Sequence, residues 1–162
     1  MRAARWRAVL TLPFNVLVTI PLLLVAWRGD ATVPAFAGPR LWIGLACLAG
    51  GLSLMVGTIR RFDREGDGSL APWDPTRRLV VTGVYRRVRN PMISGVVLNL
   101  AGEAVLAGSA TLAAWAAFFF LGNAIYLPWF EEPGLEKRFG DEYRRYKAAV
   151  PRWIPRRTPW SG

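Results

Sequence analysis

NPMISGVVLNLAGEAVLAGSATLAAWAAFFFLGNAIYLPWFEE, residues 90–132, carries two long apolar runs with only a few small residues between them. Each run approaches the roughly 20 residues that an α-helix needs to cross a bilayer. Glu103 is the only charge between Pro91 and Phe130. Backbone polar groups in lipid must be satisfied within the segment, so such runs are helical. The short separation predicts a tight antiparallel hairpin with spans at about 92–108 and 111–130.

Working towards the N-terminus, two more runs fit the same reading. Residues 8–27 follow the basic segment MRAARWR and contain Pro13 and Pro21. The run is longer than a secretory h-region and no small-residue cleavage site follows it cleanly, so a retained, proline-kinked span is expected. Residues 41–59 contain Ala46, Ala49, Gly50, Gly51, Ser53 and Gly57, small residues that let helices approach closely in lipid. The fold class expected is all-α: a polytopic membrane bundle of four transmembrane helices, one domain over 1–162, with a loop at 60–90 and a tail at 131–162.

Charge placement orients the bundle. The chain has 21 Lys and Arg against 11 Asp and Glu, a net charge of +10. With four spans and both ends inside, nineteen basic residues fall on one side, and only Arg28 and Arg40 on the other. This is the pattern expected of cytoplasmic loops, and an integral membrane protein of a bacterial inner membrane is expected. The apolar runs make a lipid bilayer, not nucleic acid, the partner of so basic a chain. There is no histidine, and Cys47 is the only cysteine, so imidazole bases, disulfides and thiolate metal clusters are excluded, and no metal site is expected.

Towards the C-terminus, Leu135, Phe139, Tyr143, Tyr146 and Val150 recur at helical spacing, and Asp141–Arg145 and Arg138–Glu142 stand four apart. One amphipathic helix beginning near Glu132–Pro133 and ending before Pro151 is expected, either lying on the membrane or folding back over a pocket. Trp153 and Trp160 suit an interfacial anchor.

Several motifs bear on chemistry. Gly66–Ala71, GDGSLA, matches a dinucleotide fingerprint, but no strand pattern precedes it. Asp63, Glu65, Asp67, Gly68, Leu70 and Asp74 imitate a calcium loop whose exit helix Pro72 and Pro75 deny. Both read as a solvated loop. Glu103, with Asn99 one turn earlier, either faces a bundle cavity or reaches water near the hairpin turn. Asn123 and Tyr126 either bond between helices or line a pocket. Pro128 is expected to kink or end its helix. Asn90–Pro91 opens a helix whose first N–H groups favour anions, while Glu131–Glu132 closes its hairpin partner. One reading of that juxtaposition is ordinary flanking charge. The other is a site for a zwitterionic, sulfonium-bearing cofactor.

LVVTGVYRRVRNPMISG (79–95) followed by EEPGLEKRFGDEYRRYKAAVPRWIP (131–155) resembles the isoprenylcysteine carboxyl methyltransferase-like family of integral membrane methyltransferases. Phospholipid N-methyltransferases are similar in pattern. The resemblance covers about residues 75–155. It implies S-adenosylmethionine as cofactor and a lipophilic or membrane-embedded acceptor. By position it implies cofactor contacts from Leu79, Val80, Tyr85, Arg89, Asn90, Pro91, Met92, Ile93, Glu131 and Glu132, with Glu131 meeting the methionine ammonium. Asn123, Tyr126 and Glu103 are the substrate-side candidates. Asn90 stands where the family most often has His, and Ile93 where Tyr is usual. The carboxyl-methylating branch has an Arg one turn before its Glu-Glu pair, where this chain reads Tyr126-Leu127-Pro128. An NADPH-dependent membrane reductase of related architecture and a non-catalytic membrane protein are the alternatives.

Overall fold

The computed structural model describes residues 11–33, 38–65 and 78–162, without the side chains of residues 62, 63 and 65. The dinucleotide-like and calcium-like motifs and the first three arginines therefore fall wholly or largely outside the described residues. Among the described residues the regular structure is entirely helical: α1 (Thr11–Arg28), α2 (Pro39–Glu65), a 3-10 turn (Gly83–Arg86), α3 (Pro91–Ala107), α4 (Ala110–Tyr126) and α5 (Glu132–Ala149). A π-helical turn, Leu127–Glu131, joins α4 to α5.

Three of these helices are long and apolar enough to cross a membrane: α1, Pro39–Arg61 within α2, and the continuous helical stretch that begins with α4. The fourth expected span, α3, is apolar but has only 17 residues, about 25 Å at the α-helical rise. α2 overruns the expected 41–59 boundary at both ends. The stretch from Ala110 runs on through Ala149, but its membrane-crossing part is α4 and the residues up to Phe130, because α5 holds nine charged residues among its 18.

The chain divides into two compact units. The first comprises residues up to Ser53 together with Gly95–Leu121. Here α2 and α3 touch through glycines. A Cβ on Gly44 would lie 2.4 Å from Leu106 Cγ, and one on Gly51 would lie 2.3 Å from Asn99 Nδ2. One on Gly102 would meet the Gly44 carbonyl at 3.0 Å. Small residues thus bring backbones together, as helix contacts in lipid require. Gly44 and Gly102 do this beside the anticipated Gly51, whereas Ala46, Ala49 and Ser53 are exposed. Buried Asn99 donates to the Gly95 carbonyl at 2.8 Å.

Pro21 explains the shape of α1. Residues Asn15–Thr19 form a π-turn in which the Ile20 N–H reaches the Asn15 carbonyl. In that register the Val16 carbonyl would await residue 21, which as proline has no N–H. Trp115 Nε1 donates to the Val16 oxygen instead, at 3.2 Å. The kink expected from the prolines is therefore a π-bulge with its freed acceptor satisfied from α4.

Gly108 (φ +57) turns the chain between α3 and α4. Ser109 Oγ accepts from Leu112 N–H at 3.1 Å and donates to Asp30 Oδ1 at 2.8 Å. Asp30 also accepts from Thr111 N–H, and these bonds hold its carboxyl below the usual range. Arg40 donates to the Leu106 carbonyl and to Thr32. The tight hairpin turn is thus pinned to the α1–α2 connection.

The second unit comprises Leu54–Ser94 and Gly122–Gly162. Tyr143, Tyr146 and Val150 form its buried core, with Leu79, Val81, Leu135, Phe139 and Trp160 packed around them. The apolar stripe of the tail is covered by the chain itself.

The tail is not one straight helix. Gly140 has φ +54 and ψ −131, a conformation closed to side-chain-bearing residues. Lys147 Nζ lies 2.7 Å from Glu136 Oε1 and 3.0 Å from Glu132 Oε2. Residues 132 and 147 would stand about 22 Å apart along a straight helix, so the arm 141–149 folds back on the arm 132–139. The Arg138–Glu142 spacing straddles this break, and Asp141 pairs with Arg144, at 2.6 Å. Pro128 does not end its helix. The π-turn absorbs it, with the Glu132 N–H reaching the Leu127 carbonyl.

Candidate functional site

The second unit builds a site from three pieces of chain: the end of α2, the segment 79–93, and the stretch from Asn123 to Trp160. Thr82 is extended and Gly83 has φ +54, so the Thr-Gly pair makes a turn that only glycine tolerates easily. Arg61 of α2 closes over that turn. Its Nη1 donates to Thr82 Oγ1 at 3.2 Å, and a Cβ on Gly83 would lie 2.0 Å from Arg61 Nε. The 3-10 turn then directs Tyr85 inward, where it is 8% exposed. Thr58 of α2 is buried as well, with no exposed surface. Tyr146 donates its hydroxyl proton to the Tyr85 carbonyl at 2.7 Å. Burial, first of all, raises both phenols well above their ordinary range. They remain neutral hydrogen-bonding groups at any working pH.

Arg89 is the hinge of the arrangement. Its Nη1 donates to Glu132 Oε1 at 2.8 Å, its Nε to the Val150 carbonyl at 2.8 Å, and its backbone N–H to the Pro151 carbonyl at 2.9 Å. Arg152 Nε also donates to Glu132 Oε1, at 2.8 Å. Glu132, 3% exposed, thus meets three cations: Arg89, Arg152 and Lys147. Burial alone would raise its carboxyl, but the hydrogen bonds from Arg152 and Lys147 and the Arg89 charge outweigh it, and the net shift is downward. Charge-assisted bonds of this kind favour the ionised acid.

Glu131 differs from its neighbour. It is exposed, and among the described residues it has no ion-pair partner. Loss of hydration, and after it the Glu132 charge, push its carboxyl upward. Of the two glutamates, Glu132 is paired with three protein cations and Glu131 with none among the described residues.

The other anticipated residues fall as follows. Leu79 packs on the Tyr143–Tyr146 core, and Val80 is buried. Pro91 is buried at the first position of α3, preceded by Asn90, whose carbonyl accepts from Ser94 N–H at 3.0 Å. Met92 and Ile93 are half-buried in the same first turn. Asn123 is half-buried, while Tyr126 is 53% exposed and stacks on Phe130 with ring centroids 5.6 Å apart. Glu103 belongs to the first unit. The second unit therefore brings together all ten anticipated cofactor residues with Asn123 and Tyr126.

Sequence reading missed Arg61, Lys147 and Arg152. The Thr-Gly pair signalled a tight turn, but nothing in the residue pattern says which side chain would close over it. Lys147 and Arg152 look like ordinary members of a charged tail until the Gly140 break folds them onto Glu132.

The phospholipid methyltransferase family model matches residues 39–142 of the chain. That span takes in α2, the 79–93 segment, α3, α4 and the first arm of α5. A comparison with curated proteins finds no match to the chain.

Proposed function

The chain belongs to the phospholipid methyltransferase family, and from that premise we propose that it moves the methyl group of S-adenosylmethionine to a lipophilic acceptor drawn from the bilayer. The observation that carries the reading is the division of labour between adjacent carboxylates. Glu132 is paired with Arg89, Arg152 and Lys147, and Glu131, exposed, has no ion-pair partner among the described residues.

The residues fit the cofactor by charge. Glu131 offers a carboxylate to an ammonium. The N–H groups of the first turn of α3, behind Asn90 and Pro91, offer donors and partial positive charge to a carboxylate. Leu79 and Val80 supply backbone polar groups beside apolar side chains. When bound, S-adenosylmethionine supplies an electrophilic methyl group on a sulfonium. The chain supplies position: Arg61 and Tyr146 fix the 82–85 turn, and Arg89 ties that segment to Glu132. Catalysis of this kind rests on alignment and exclusion of water. Asn90 donates and accepts hydrogen bonds but does not exchange protons near neutrality, and the buried phenols stay protonated. The Tyr126-Leu127-Pro128 turn carries no cation, which favours an acceptor without a carboxylate. The protein would work in a bacterial inner membrane with both termini cytoplasmic, the side favoured by its basic loops.

Full-length protein in lipid nanodiscs is to be titrated with S-adenosylmethionine and with NADPH, then incubated with methyl-labelled S-adenosylmethionine and membrane lipid extract. The expected result is binding of the first ligand alone and label in a lipid fraction. Binding of NADPH, or silence to both, overturns the proposal.

A further inference from the structure

The segment that follows α5 pairs with the arginine-rich segment ahead of α3, in antiparallel order. Trp160 N–H donates to the Arg86 carbonyl at 2.8 Å, Arg156 N–H to the Arg87 carbonyl at 2.9 Å, and Arg89 N–H to the Pro151 carbonyl at 2.9 Å. This pairing gathers Arg86, Arg87, Arg156 and Arg157 into one patch. Their own side chains add to it: Arg86 Nε donates to the Trp160 carbonyl, Arg87 Nη1 to the Arg157 carbonyl at 2.7 Å, and Arg156 Nη1 to the Ala149 carbonyl at 2.9 Å.

Every one of those acceptors is a neutral backbone oxygen. Among the described residues none of the four guanidinium groups has a carboxylate partner, unlike Arg89 and Arg152 close by. A guanidinium has five N–H donors, and the intrachain bonds leave most of them over. Four like charges held together by backbone pairing repel one another, and a multivalent anion lowers that energy. Arg87 and Arg157 are exposed. The patch is not bare charge: Trp153, Ile154 and Pro155 run between Arg152 and Arg156, and Ile154 is 79% exposed. Trp129 and Phe130 of the same unit are 74% and 67% exposed. Cations interleaved with a half-buried tryptophan and an exposed isoleucine match the headgroup boundary of a bilayer, where phosphate meets acyl chain.

We propose that Arg86, Arg87, Arg156 and Arg157 form a binding site for the phosphate headgroup of an anionic phospholipid. Guanidinium recognises phosphate bidentately, and the Trp153–Pro155 segment sits against the adjoining acyl region. None of the four arginines is among the methyl-donor residues, and the proposal does not depend on the methyltransferase reading.

The test is native mass spectrometry of the full chain in detergent, titrated with phosphatidylglycerol or with phosphatidylcholine. The wild type should retain phosphatidylglycerol selectively. Arg87→Gln/Arg157→Gln should retain it about thirtyfold less well and Arg157→Gln alone about fivefold less. The Arg157 side chain makes no bond within the described chain, so the single variant keeps the fold. Arg144→Gln/Arg145→Gln removes the same charge from the tail helix and should bind as the wild type does. Equal retention of the two lipids by the wild type, unchanged binding by the Arg157 variant, or equal loss in the Arg144/Arg145 control would each overturn the site. Displacement of the lipid by excess inorganic phosphate would overturn its assignment to a lipid headgroup.

Discussion

Glu131 and Glu132 are adjacent and chemically identical, and the structure gives them opposite roles. Replacing Glu132 with Gln removes the counter-charge of three cations whose side chains are 10% (Arg89), 25% (Arg152) and 37% (Lys147) exposed. Removing one partner of a fully buried pair costs about 3–5 kcal/mol. Here Gln keeps an oxygen for Arg89, and Arg152 and Lys147 can turn to water, so the expected loss is about 2–3 kcal/mol. For a chain of this size that lowers Tm by about 5–10 °C. Glu131→Gln removes an exposed carboxylate without an ion-pair partner among the described residues and should change stability by less than about 0.5 kcal/mol. Its effect belongs in S-adenosylmethionine affinity, expected to fall about tenfold or more with the loss of a charge-assisted contact. The assay is a pair of measurements on each purified variant: thermal denaturation in detergent, and calorimetric titration with S-adenosylmethionine. If Glu132→Gln melts with the wild type, the three-cation cluster is not what holds the tail. If Glu131→Gln destabilises the fold while binding cofactor normally, the two roles have been assigned the wrong way round.

Other consequences can be measured separately. Gly140→Ala meets no atom within 4 Å, so its cost is backbone strain alone, about 1–3 kcal/mol, read as a lower unfolding midpoint; an unchanged midpoint would mean the fold-back does not need that conformation. Gly83→Ala adds a clash with the Arg61 guanidinium to a φ of +54 and should lose more stability than Gly140→Ala in the same assay. Gly51→Ala drives a methyl group into Asn99 and the Gly95 carbonyl and should cost about 1–3 kcal/mol, whereas Gly57→Ala meets nothing and should be neutral or slightly stabilising. The lowered Glu132 carboxyl contributes stability that is complete above the ordinary glutamate range, about pH 4.3, and is lost as pH falls through the lower folded value. The Tm of the wild type should therefore drop towards acid more steeply than that of Glu132→Gln, and parallel profiles would contradict the linkage.

The helical membrane architecture was legible because its cause is local. Long apolar runs admit one backbone solution in lipid, and small residues between Ala107 and Leu112 leave room only for a hairpin turn. What the pattern could not show was how the prolines would be absorbed. Pro21 and Pro128 both read as kinks, yet each is accommodated by a π-turn. At Pro21 the freed Val16 oxygen is satisfied by Trp115, far away in sequence. Nor could periodicity see Gly140. Leu135, Phe139, Tyr143 and Tyr146 keep helical spacing straight through it, because both arms turn apolar faces to the same Tyr143–Val150 core. A single glycine in a periodic segment is a weak signal, and it is the Gly140 backbone and the contacts of Lys147 with Glu132 and Glu136 that show the chain reverses there.

The candidate site was legible as far as its residues lie in short, dense motifs. Segments 79–93 and 131–132 announce themselves by clustered charge at helix ends, and they do share one compact unit. The partners that make them a site come from elsewhere. Arg61 ends an apolar run, and Lys147, Arg152 and Arg156 lie beyond residue 142, where the family match stops. Those later residues nevertheless supply two of the three cations on Glu132 and the backbone pairing of the 86–89 segment. Without them Arg89 alone would face Glu132, and the segment running into Asn90 would lose its main tether. Nothing between residues 143 and 160 stands out as a catalytic motif. Its importance follows from where it is bonded: it tethers the segment running into Asn90 and supplies counter-charge to the carboxylate beside Glu131.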